Sequence, residues 1–66
     1  MMVLRTADRQ LLHGLWDGLS YKEVAGRLGV SHQSVKDQMR RIRNRIGARS
    51  TIDLFRRCVR DGVLTP

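Results

Sequence analysis

Residues 23–46 read EVAGRLGVSHQSVKDQMRRIRNRI, and their pattern decides the fold. The spacing predicts two helices joined by a sharp turn at Leu28, Gly29 and Val30. Ser31 is placed to cap the second helix, because its hydroxyl can accept from the free amides of the opening turn. Beyond it Val35, Met39, Ile42 and Ile46 recur at intervals of four, three and four, which is one face of an α-helix. The opposite face carries Gln33, Lys36, Asp37, Arg40 and Asn44, with Arg41, Arg43 and Arg45 on its flanks. A short helix, a glycine turn and a longer helix with a polar, basic outer face imply a helix-turn-helix that reads DNA.

Outward from this stretch the chain reads as helix throughout. Residues 1–5 are expected to form a short arm, with Leu4 the first to pack. Thr6 is expected to cap a helix running to about residue 17, since Leu11, Leu12, Leu15 and Trp16 form an apolar stripe at helical spacing. Trp16 could stack on bases, but that stripe assigns it to the core. Gly18 ends the helix, and Ser20 with Glu23 makes a capping box for the next one, which buries Val24, Ala25 and Leu28. Ala25 and Gly26 are expected where two helices cross closely, and Val30 is expected to tuck into the core. The long helix should span about residues 32–46 and stop at Gly47. Ser50 and Asp53 form a second capping box, opening a last helix over about residues 51–61. Gly62 ends it, and residues 63–66 are expected to trail away. No strand pattern, repeat or linker interrupts the series, so the expectation is one all-α domain of four helices over residues 1–66.

Sixty-six residues support a modest core, marginal alone and helped by oligomerisation or bound nucleic acid. Thirteen Lys and Arg oppose six Asp and Glu, a net charge of +7. The excess is uneven: residues 1–30 hold four basic and three acidic groups, residues 31–66 nine and three. A basic half beside a nearly neutral half points to a polyanionic partner on one side of the fold. Cys58 is the only cysteine, so the chain forms no internal disulfide and no thiolate cluster; it is expected as a small core residue. His13 and His32 have no partners at ligand spacing, so neither a metal nor a cofactor is expected. No apolar run suits a signal peptide or a membrane span, which points to the cytoplasm.

Gly18-Leu19-Ser20, Lys22-Glu23-Val24-Ala25, Leu28, Val30-Ser31, Ser34-Val35-Lys36, Ile42 and Arg45-Ile46 together resemble the LuxR-type (GerE-type) helix-turn-helix family. The resemblance runs from Leu4 to about Val59. It implies a four-helix fold whose third helix binds DNA and whose fourth commonly dimerises, either as a short stand-alone member or as an excised output domain. The chain departs from the family pattern at several places. Arg5-Thr6-Ala7-Asp8 stands where Thr-x-x-Glu is usual, which alters the cap or moves it by one residue. Gln38 replaces a common histidine, Arg45 a common lysine, and Asp37 is an acid at a position that can face bases.

For the interface, Lys36 and Arg40 lie one turn apart and can reach base edges together. Asp37 either accepts from cytosine N4 or pairs locally with Arg40 or Arg41. Ser31, Gln33 and Ser34 at the helix start suit phosphate, and Lys22, Arg41, Arg43, Arg45 and Arg49 are candidate backbone contacts. Tyr21 belongs to the start of the second helix or offers a hydroxyl to phosphate. In the last helix Leu54, Phe55 and Cys58 form a packing face. Ile52, Phe55, Arg56, Val59 and Val63 are expected to meet a two-fold mate. Catalysis finds no nucleophile beside a base, no converging carboxylates and no phosphate loop. The reading is a sequence-specific transcription regulator that binds double-stranded DNA as a homodimer. The alternatives are an adaptor contacting RNA polymerase or another regulator, and a sequence-blind nucleic-acid binder.

Overall fold

The computed structural model describes residues 2–65; the expectations for Met1 and Pro66 lie outside them. Among these residues four helices follow in order: α1 Thr6–Trp16, α2 Tyr21–Leu28, α3 His32–Ile46 and α4 Thr51–Arg60. Among the described residues there is no strand. The apolar stripes converge on one core of Leu11 and Leu12, Val24 and Ala25, Val35, Met39 and Ile42, Leu54 and Cys58, closed by Leu64.

Side-chain caps set most helix starts. Ser20 and Glu23 bond reciprocally, hydroxyl to Glu23 amide at 3.1 Å and carboxylate to Ser20 amide at 3.0 Å. Ser31 Oγ accepts from the Ser34 amide at 3.0 Å. Two expected caps need correction. Thr6 is the first helical residue, not the cap: Asp8 captures the Arg5 amide at 3.1 Å, and the helix begins one residue early. At α4 the Ser50 hydroxyl accepts from Asp53, but the Asp53 carboxylate turns to the Arg49 amide at 2.9 Å instead of closing a box.

Between α2 and α3 Gly29 adopts φ 69°, the left-handed backbone this turn requires. The Val30 amide folds back on the Ala25 carbonyl at 3.0 Å. Its side chain stays exposed on the outside of that turn, contrary to the expected burial. The close helix crossing also falls elsewhere. A Cβ on Gly26 would meet nothing within 4 Å, whereas one on Gly14 would lie 3.0 Å from Val24 Cγ2. The α1–α2 approach therefore depends on Gly14.

Past α4 the tail does not trail away. The Val63 and Leu64 amides return to the Cys58 carbonyl at 2.8 and 3.3 Å, which swings Leu64 into the core. One buried carboxylate then ties α1 to α3. Asp8, 4% exposed, accepts from Gln38 Nε2 at 3.0 Å and from Arg45 Nη1 at 3.3 Å.

Gly14→Ala is expected to destabilise the domain by about 1 kcal/mol or more, because Val24 is buried and stiff. Gly26→Ala should stabilise it by roughly 0.5–1 kcal/mol through helix propensity. Urea denaturation of both variants checks the contrast. Burial alone would raise the Asp8 carboxyl, yet bonds from Gln38 and the Arg5 amide, with the Arg45 charge, hold it below the usual value. A depressed carboxyl contributes stability above its unfolded pKa and loses it as pH falls through the folded one. Below about pH 4 the wild type should therefore lose stability more steeply than Asp8→Asn. Glu23 and Asp53, lowered by bonds to Ser20 and to the Arg49 amide, act equally in both proteins. The measurement is the difference between their melting-temperature profiles against pH.

Candidate nucleic-acid interface

Burying Val35, Met39 and Ile42 at 0–1% exposure fixes which way the rest of α3 points. Gln33, Lys36, Arg40, Arg41 and Asn44 are exposed, and Asp37 is half-buried among them. Lys36 and Arg40, one turn apart, take part in none of the ion pairs found among the described residues, which are Arg45–Asp8, Arg57–Asp53 and Arg60–Asp61. Both cationic ends are available to an external acceptor. Asp37 accepts from Gln33 Nε2 at 3.0 Å rather than pairing with Arg40 or Arg41. The acid and the amide thus form one hydrogen-bonded unit in the middle of the outer face.

At the start of α3 the Ser31 and Ser34 hydroxyls lie 2.8 Å apart. No acid occupies the first turn, so the positive end of the helix dipole is uncompensated and open to an anion. The His32 ring meets Tyr21 edge-on, centroids 6.4 Å apart, which sets the α2 start and exposed Lys22 beside this end. At the other end Arg41 is exposed and Arg43 half-buried, its Nε without a hydrogen-bond partner among the described residues. Arg49 is exposed on the α3–α4 connection. Arg45 stands apart from this set, its guanidinium directed at Asp8.

The second surface lies on α4. Ile52, Phe55, Arg56 and Val59 line an open groove of about 420 Å³ together with Trp16. Trp16 is 37% exposed and Ile52 73% exposed. The core position expected for Trp16 is corrected here. An indole N–H needs an acceptor, and it finds the Thr65 carbonyl at 2.7 Å at the surface while the ring tilts against Phe55 at 5.5 Å. Val63 is not in this groove; it lines a separate depression with Met2, Arg9, Asp61 and Gly62. Sequence reasoning missed Trp16 as a surface residue and Asp8 as a partner of α3. The first had a signal in its polar nitrogen; for the second, positions 8 and 38 showed only as separate departures from the family pattern.

Among the described residues no group of His, Cys, Asp or Glu is placed to hold a metal ion, and no helix is long and apolar enough to cross a membrane. The family model for bacterial regulatory proteins of the luxR family, GerE, matches residues 2–58. Comparison with curated proteins and with solved structures gives no match. With that match over most of its length and a glycine-bounded α3 carrying an outward basic face, the chain belongs to the LuxR family of bacterial regulatory proteins and carries its helix-turn-helix DNA-binding domain.

Proposed function

We propose that the protein is a sequence-specific transcription regulator that sets α3 into the major groove and works as a dimer on a near-palindromic operator. The observation that carries this reading is the pair Lys36 and Arg40, exposed, one turn apart and in none of the ion pairs among the described residues. Arg40 can grip guanine O6 and N7 with two bonds, and Lys36 reaches a neighbouring acceptor. Asp37, held by Gln33, presents an acceptor suited to cytosine N4. Ser31, Gln33, Ser34, Lys22, Arg41, Arg43 and Arg49 flank these base contacts and supply phosphate contacts that fix register. Arg45 is left out of that group because its guanidinium is engaged by Asp8.

Dimerisation is supported by the α4 groove. Apolar side chains around Trp16 and Phe55, with Arg56 at the edge, form a patch whose burial against a second copy stabilises a small core. Such a mate sets two recognition helices about one DNA turn apart.

Lys36→Ala and Arg40→Ala should each reduce preference for the selected duplex over a scrambled one by roughly 1–3 kcal/mol. Stability should shift by less than about 0.5 kcal/mol, since neither side chain packs in the core. Selection from random DNA supplies the duplex, and titration with the scrambled control reads the preference. Wild-type preference in both variants defeats the assignment of α3, and equal binding of both duplexes by the wild type makes the protein a sequence-blind binder.

Ile52→Asp and Val59→Asp should weaken binding to a full operator far more than to a half-site. Trp16 is the only tryptophan, so its emission reports directly on the groove and should shift to the blue on the full site. Sedimentation showing one chain per full operator, unaltered by either variant, sinks the dimer.

A further inference from the structure

Among the described residues the one buried charge belongs to Asp8 on α1, and two of its three partners lie on the recognition helix. Oδ1 accepts from Gln38, while Oδ2 takes the Arg45 guanidinium at 3.3 Å and the Arg5 amide at 3.1 Å. Gln38 and Arg45 are seven residues apart, just short of two turns, so they leave α3 along one stripe roughly 10 Å from each other. Two anchors on one stripe fix the rotation of α3 about its axis and its slide along α1. Gln38 is two residues from both Lys36 and Arg40, so any rotation released at this point moves the base-facing side chains directly.

The same contact changes the charge that DNA meets. Arg45 keeps 41% of its side chain exposed, yet its nitrogen is turned onto a carboxylate. It leaves the helix about half a turn around from Lys36. A loose arginine at the end of the recognition helix would find phosphate on any duplex, raising affinity for every sequence alike.

We propose that Asp8 is a positioning residue for DNA recognition: it holds α3 at its reading angle through Gln38 and withholds Arg45 from the phosphate backbone, favouring discrimination over unselective affinity. The proposal rests on α3 being the reading helix. It makes a demand that a merely structural acid does not. Loss of the carboxylate strengthens binding to unrelated DNA, whereas simple destabilisation weakens binding to all DNA.

The test compares wild type, Asp8→Asn, Arg45→Gln and the double variant on a mixed-sequence duplex and on the duplex recovered by selection, across a salt series. Asp8→Asn should bind the mixed duplex more tightly, with the log–log salt slope steeper by about 0.9, one phosphate contact. Its preference for the selected duplex should fall by about tenfold, the scale of one lost base contact. Arg45→Gln should leave the wild-type slope on the mixed duplex unchanged, and the double variant should return to it. Should Asp8→Asn fail to fold, Arg45→Gln alone decides, because a slope shallower by about 0.9 shows that Arg45 already contacts phosphate and overturns the proposal. An unchanged slope and preference in folded Asp8→Asn overturns it too, while wild-type preference for the selected duplex keeps the DNA-reading assignment standing. Absence of salt-dependent binding by the wild type defeats both.

Discussion

A helix that must bury one face and offer the other has little freedom in how it is built, and α3 is under that constraint along its whole length. Val35, Met39 and Ile42 are fully buried, so the core cannot form without the same fifteen residues that carry the basic outer face. Among the described residues the four helices are the elements that can do the packing. The consequence is that stability and presentation are coupled through rotation about a single axis. Gly29 before α3 and Gly47 after it, both left-handed, confine the helix to the length of that stripe.

Charge is arranged to serve the same end. Acids cluster where backbone amides need acceptors or where an arginine needs neutralising: Glu23 and Asp53 at helix starts, Asp8 under Arg45, Asp53 again with Arg57. The outer face of α3 has a single acid, and that one is bonded to a neutral amide. The net charge of +7 is therefore not spread evenly as a solvated coat. Lys36, Arg40, Arg41 and Arg43 on α3 enter none of the ion pairs among the described residues, and a helix face carrying them attracts a polyanion.

The four helices and the buried stripe of α3 were legible because they rest on local rules: apolar period, serine caps and glycine stops. What was not legible depended on distant partners. Leu64 reads as tail until the Cys58 carbonyl is seen drawing the chain back, and nothing in the local pattern announces that return. Trp16 fits the α1 stripe by spacing, but its indole nitrogen overrides the spacing by seeking Thr65, forty-nine residues away. Asp8 and Gln38 were each visible as departures from a family pattern, yet their mutual bond spans thirty residues and appears only in three dimensions. The close crossing was read at Ala25 and Gly26, and only the position of Val24 places it at Gly14 instead. The outer face of α3 was readable as a surface; its division into Lys36 and Arg40 on one side and a committed Arg45 on the other was not.

Cys58 is also the meeting point of the two described ends of the chain. Its sulfur lies 3.7 Å from the sulfur of Met2, and its carbonyl receives the Leu64 amide. Ends this near each other make the fold closed in the topological sense, since a short joint between them would span little distance and cost little loop entropy. The four helices can then be read as a ring rather than a line. New ends opened at the exposed Arg49, between α3 and α4, would leave every helix and the α2–α3 turn continuous. Joining the two described ends and opening the chain at Arg49 is thus compatible with the packing of residues 2–65.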